Sequence, residues 1–142
     1  MAHYADLSTR CMVDEGQHIR AIGWLDAAHP FPTGAVEKDF VECLTHHVAT
    51  AWRPVASGGV HFCNLCLEEN RRAGGAQNIW IPSRDKVYVA PDLIVHYVET
   101  HRYLPPDEFI QAVMACPAQG SEDYFSLLKR FPNWYEINAL QE

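Results

Sequence analysis

No apolar run in the 142-residue sequence approaches the ~20 residues of a membrane-spanning helix. The stretch Met1 to Arg10 also lacks the basic and apolar segments of a secretory signal. Both absences point to a cytoplasmic protein without a membrane partner. Positive charge is scarce as well, with 11 Lys and Arg against 18 Asp and Glu, a formal net charge of −7. Nucleic-acid binders usually carry a basic face that releases counterions from phosphates. Here the nearest approach to such a cluster is Arg71-Arg72, so bulk electrostatics oppose nucleic acid.

Catalytic signatures are missing in turn. There is no G-x-S-x-G, no Gly-rich phosphate loop and no dinucleotide fingerprint, and Gly58-Gly59 and Gly74-Gly75 are isolated pairs. The metalloprotease pattern H-E-x-x-H is absent. The zinc-deaminase signature requires a proline before its C-x-x-C, where this chain has Phe62. A thioredoxin-like site needs its cysteine pair at the start of a helix, yet Cys66 leads into Leu67-Glu68-Glu69-Asn70 and a glycine loop. The sequence favours a non-enzymatic role.

A disulfide framework is excluded too. The five cysteines are an odd number, and Cys11, Cys43 and Cys116 are scattered singly, as small buried hydrophobes are. Only Cys63 and Cys66 are close together. No repeat, low-complexity tract or long linker divides the chain, and hydrophobic residues at 48% suffice for one core. We expect one α+β domain over 1–142: a strand and helix in 17–54, a metal-site half in 61–116, and a helix and tail in 121–142.

Hydrophobic spacing places the elements. Ile19, Ile22, Trp24 and Leu25 mark a strand within 17–25. Phe40, Val41, Leu44, Val48, Ala51 and Trp52 recur at helical spacing, with Thr33 as a possible cap and Arg53-Pro54 as the stop. Ser57-Gly58-Gly59 forms a flexible joint, and a polar Gly-rich loop follows from Glu68 to Ala76. Asn78–Pro82 and Lys86–Ala90 flank Ser83-Arg84-Asp85 as a β-hairpin. Pro91 suits the first position of a helix that runs to His101 and stops at Leu104-Pro105-Pro106. A further helix from Pro106 buries Phe109, Ile110, Val113 and Met114, and a last one covers Ser121 to Lys129. The aromatic residues Trp24, Trp52, Trp80, Tyr88, Tyr97, Tyr103 and Trp134 belong to these stripes as core rather than to a base-stacking platform.

The one constellation with chemistry in it is Cys63-x-x-Cys66 followed by a loop, a hairpin and a helix bearing His96 and His101. A C-x-x-C turn points two thiolates at one ion, and its amides hydrogen-bond the sulfurs. Zinc-finger sites take their second ligand pair from a helix packed on a hairpin. Cys63, Cys66, His96 and His101 are therefore the expected ligands of one Zn2+. His61 is an alternative ligand, and His46-His47 an alternative surface site. One geometric objection stands: five steps of an ideal helix turn two side chains apart by about 140°. The helix must distort or end between them.

The residues Gly23-Trp24-Leu25, Cys63 to Cys66, Trp80-Ile81-Pro82 and the run from His96-Tyr97 through His101, Tyr103 and Pro105-Pro106 to Phe109 carry a resemblance. They resemble a family of small uncharacterised bacterial proteins with C-x-x-C followed by H-Y-x-x-x-H-x-Y-x-P-P-x-x-F. The resemblance implies that the two cysteines and two histidines go together as a metal site, and it implies no activity. Three readings of function follow: a structural zinc site in a protein-interaction module, a small zinc hydrolase using Glu99 or Glu68 on a bound water, and a nucleic-acid binder. The first is favoured. The four good ligands close the site, and the helix before His101 offers Asp92, Glu99 and Thr100 instead of base-reading side chains.

Overall fold

The computed structural model describes residues 3–53, 60–66 and 73–132. The expected joint at Ser57-Gly58-Gly59, most of the loop from Glu68 to Ala76, Pro54 and Trp134 lie outside them. Element order is β1 (Ile19–Ala21), α1 (Lys38–Ala49), β2 (His61–Phe62), β3 (Gly74–Gly75), β4 (Asn78–Pro82), β5 (Val87–Pro91), α2 (Ile94–His101), α3 (Asp107–Ala115) and α4 (Glu122–Leu128). The architecture is mixed α+β, and the described residues form one sheet of three strands and a second of two.

Strands β4 and β5 form the expected hairpin, with Pro82 opposite Val87 and Asn78 opposite Pro91. Its turn is closed by the Ser83 amide donating to the Lys86 carbonyl at 2.8 Å. Strand β1 lies against the other side of β5 and runs parallel to it, so the sheet order is β1-β5-β4. Both sheet faces are covered, which explains why every residue of β4 and β5 is buried. Ile79, Ile81, Tyr88 and Ala90 face a core built with Phe40, Leu44, Tyr97, Phe109 and Val113. Trp80, Val87 and Val89 face the opposite cluster with Ile19, Ala21, Trp24, Trp52, Tyr124 and Leu128.

The sequence expectations need several corrections. The first strand is only three residues long, because Gly23 takes a left-handed φ of 74° and turns the chain. Beyond it, the Ile22 amide and the Trp24 indole both donate to the Val89 carbonyl at 3.0 Å, so hydrogen bonding to β5 outlasts the strand. Helix α1 begins at Lys38 after Glu37. Thr33 does not cap it and bridges Tyr103 instead. Trp52 lies past the end of α1, yet is buried among Trp80, Tyr124 and Phe125. Pro91 is the last residue of β5, not the first of a helix; the turn Asp92-Leu93 intervenes before α2. Fixed φ suits proline to either position, so its presence alone did not discriminate. Met114 in α3 is 49% exposed, and the buried face is Phe109, Ala112 and Val113. Helix α4 fits its expected span, capped by the Ser121 hydroxyl accepting from the Tyr124 amide. Among the described residues no helix is long and apolar enough to cross a membrane.

Candidate metal centre

Strand β2 delivers the first two residues of the centre. It pairs with β3 as a short antiparallel ribbon, and the Cys63 amide donates to the Ala73 carbonyl at 2.8 Å. This ribbon packs closely on the start of the next segment: a Cβ at Gly75 would overlap the Asp92 carboxylate and displace that side chain. Cys63 is fully buried and Cys66 half-buried, with the amides of Leu65 and Cys66 hydrogen-bonding the Cys63 sulfur. Between them Asn64 reaches outward. Its side chain donates to the Asp26 carboxylate at 2.6 Å and accepts from the Ala27 amide at 3.0 Å, tying the knuckle to the loop after β1.

Helix α2 delivers the other two. Tyr97 and Val98 face the core and leave half-buried His96 and His101 toward the knuckle. The five-step spacing is accommodated by the way the helix ends. The Arg102 amide donates to the Tyr97 carbonyl, five residues back, and the Tyr103 amide donates to the same oxygen at 3.1 Å. A turn closed at five residues is wider than an α-turn, and the two imidazole Nε2 atoms end 3.2 Å apart. Arg102 then takes a left-handed φ of 57°. This end is strapped in place: Gly34 donates to the Arg102 carbonyl at 3.0 Å and Leu104 to that of Pro32 at 2.9 Å. The Tyr103 side chain is buried and donates to Asp6 at 2.7 Å. The run from His101 to Phe109 thus has a local logic: Tyr103 anchors the helix end, Pro106 precedes α3, and Phe109 packs edge-on to Phe40 and Tyr88.

The four ligand atoms lie within 4.8 Å of one another, and no other such group occurs among the described residues. Cys66 Sγ is 3.3 Å from His96 Nε2 and 3.6 Å from His101 Nε2. Cys63 Sγ is 3.4 Å from His101 Nε2, which is 3.2 Å from His96 Nε2. Hydrogen bonds alone do not account for this. One ring nitrogen has either one proton or one lone pair, yet His101 Nε2 meets three neighbours. A shared central ion satisfies all four, and the set can hold a metal. Burial, then the adjacent His101, pushes the His96 pKa down, and burial does the same to His101. Both imidazoles are therefore held in the neutral form that ligates. Burial pushes the Cys63 thiol up, so a thiolate there requires a cation beside it.

The alternatives fall elsewhere. His61 is not part of the group, and its buried Nε2 has no hydrogen-bond partner among the described residues. His47 does not belong to a surface site: it is 3% exposed, donates from Nε2 to the Val113 carbonyl and accepts at Nδ1 from Gln119, both at 3.2 Å. Its place on the Phe40-Leu44 stripe was the signal for burial. Glu99 is exposed on the solvated face of α2, and Glu68 lies outside the described residues. Sequence reasoning missed the supports at Asn64, Asp26 and Tyr103, which carry no spacing signature.

No curated protein and no solved structure matches the chain. A family model does match, over residues 2–114, and it takes in the knuckle, the hairpin and the helix with both histidines. The chain belongs to that family, a domain of unknown function (DUF7919).

Proposed function

We propose that Cys63, Cys66, His96 and His101 hold one Zn2+ in a closed structural site, and that the stapled domain works by binding another protein in the reducing interior of a cell. The observation that carries the metal assignment is the set of four ligand separations. Zinc bonds of about 2.0–2.1 Å to nitrogen and about 2.3 Å to sulfur, arranged tetrahedrally, put two nitrogens about 3.3 Å apart and a nitrogen and sulfur about 3.5 Å apart. The values here are 3.2 Å for nitrogens and 3.3, 3.4 and 3.6 Å for nitrogen to sulfur. Two thiolates and two imidazoles are also the soft and borderline donors that select zinc over magnesium or calcium.

The count supports closure. A catalytic zinc keeps a position for water and a carboxylate beside it, whereas this set has four protein donors and no carboxylate among them. Elemental analysis of protein purified without a metal-affinity tag should find close to one zinc per chain. X-ray absorption at the zinc edge should fit two sulfurs and two nitrogens. A chain without metal overturns the assignment, and a fit with three protein ligands and an oxygen overturns closure in favour of hydrolysis.

Two features support a protein partner. The net charge of −7 repels phosphates. Val60 and Phe62, beside the knuckle, are 57% and 58% exposed, an uncommon placement for apolar side chains so close together. A photo-reactive amino acid at Phe62 should crosslink to a protein in cells; crosslinks to nucleic acid would favour the third reading.

A further inference from the structure

The two sulfurs of the centre are unequal in a way that matters for chemistry. Cys63 is fully buried and takes hydrogen bonds from the Leu65 and Cys66 amides. Cys66 is half-buried at the edge of the same cluster. Both sulfurs lie within the 4.8 Å that spans the four ligand atoms, so a bond between them requires only a small shift of one tight turn. The three remaining cysteines are of another kind. Cys43 donates its thiol proton to the Val113 carbonyl and Cys116 to the Pro117 carbonyl. Burial pushes the Cys116 thiol up to about 12 and that of Cys11 to about 11, and raises Cys43 too. Each stays a protonated thiol, and the nucleophile is the thiolate.

We propose that Cys66 is a site of reversible oxidation by a hydroperoxide, with Cys63 as the resolving thiolate, so that oxidation releases the metal. This rests on the zinc assignment above. The Cys66 thiolate attacks one oxygen of the peroxide. An S–O bond forms, the O–O bond breaks, and the departing hydroxide takes a proton to become water. Cys66 is then a sulfenic acid and no longer a thiolate donor. The Cys63 thiolate next attacks the Cys66 sulfur: the S–S bond forms, the S–O bond breaks, and a second hydroxide leaves as water with a second proton. Two thiolates have lost two electrons in all and one peroxide has gained them. His96 and His101 remain, and two imidazoles are half the donor set that zinc requires. The order of events is dictated by burial, since peroxide from solvent meets Cys66 before it meets Cys63.

The full chain, loaded with zinc, is treated with hydrogen peroxide beside a chromogenic zinc chelator, and the products are analysed by mass. Zinc release should equal disulfide formation one for one, with loss of two hydrogens from the intact mass and a Cys63–Cys66 link in the peptide map. Dithiothreitol with added zinc should reverse both. A sulfenic-acid trap should label Cys66 and not Cys63. Zinc retained through the treatment, or a label on Cys63, Cys43 or Cys116, overturns the proposal. Because Cys66→Ser removes a ligand and with it part of the support of the fold, the paired variant Cys43→Ser/Cys116→Ser provides the second test. It keeps the centre intact and should release zinc at the parent rate; a slower release also overturns the proposal. A chain that carries no zinc at the outset fails the assignment itself, whereas a zinc-loaded chain indifferent to peroxide fails this inference alone.

Discussion

Strands β4 and β5 are buried at all ten positions, whereas β2 and β3 are half-exposed or exposed at all four. The central hairpin has apolar clusters on both faces, with helices α1, α2 and α3 contributing to one of them and α4 to the other. Among the described residues the knuckle ribbon has no such cover: Cys63 joins the core outright, while Leu65, Cys66 and Ala73 only pack against its edge. One region is held by area removed from water. The other is held by a few hydrogen bonds and, on the present reading, by one ion. Small metal domains with no core depend on the metal for all of their folding free energy; here the dependence should be confined to one side of the molecule.

The largest effect that tests this division is expected in the hairpin core. Phe109 is fully buried between Phe40 and Tyr88. Phe109→Ala should cost about 3–5 kcal/mol in urea unfolding and should remove the metal with the fold. A smaller loss would mean that the centre, not the core, holds α3 in place. Next comes metal removal. A chelator, or Cys63→Ser, should strip amide-exchange protection from β2, β3, the knuckle and the last turn of α2, while β4, β5 and α1 stay protected. Cooperative unfolding of the whole chain would erase the division.

The same contrast governs what could be seen in the sequence. Helices α1, α3 and α4 and the β4–β5 hairpin were legible because their signals are local: a stripe at three-to-four spacing and two apolar runs around a short polar turn. The parallel pairing of β1 with β5 was not, since Ile19 meets Val87 from far along the chain and no local pattern records it. Met114 was misplaced because the side of a short helix that faces the core depends on what packs there, and α1 meets α3 along Phe40 and Phe109. At the centre, the clustering of Cys63, Cys66, His96 and His101 was legible from residue type and spacing. The means of satisfying the five-step offset were not. They lie in the strap from Pro32 to Gly34 and in the anchor from Tyr103 to Asp6, both distant in sequence.

A smaller, pH-dependent effect belongs to the core side. Burial lowers the His47 pKa, so the fold holds the imidazole neutral between Val113 and Gln119. On acidification the unfolded chain takes up this proton first. The stability that neutral His47 confers is complete above about pH 6.5 and is lost as the pH falls toward the lower folded-state value. His47→Gln should cost about 1–2 kcal/mol at neutral pH and flatten the dependence of stability on pH below 6.5, relative to the parent chain. An unchanged slope would show that the proton is accepted elsewhere.

The smallest effect should come from the knuckle side, at Asn64, and it asks how the weakly packed ribbon keeps its geometry. Asn64 ligates nothing, and its contacts with Asp26 and the Ala27 amide are solvent-exposed. Hydrogen bonds in that setting add little to global stability, because water competes for both partners. What they restrain is the direction in which the turn presents Cys63 and Cys66. Asn64→Ala should leave the urea midpoint unchanged and speed zinc loss to a competing chelator a few-fold, while Asn64→Asp should speed it further by setting a second carboxylate against Asp26. The Asp26 carboxyl, which Asn64 holds below its ordinary pKa, should at the same time move back up in the alanine variant. Unchanged zinc loss together with a restored Asp26 would mean that the core contacts of Cys63 and Leu65 alone position the knuckle, and the two regions would then be less separate than their burial implies.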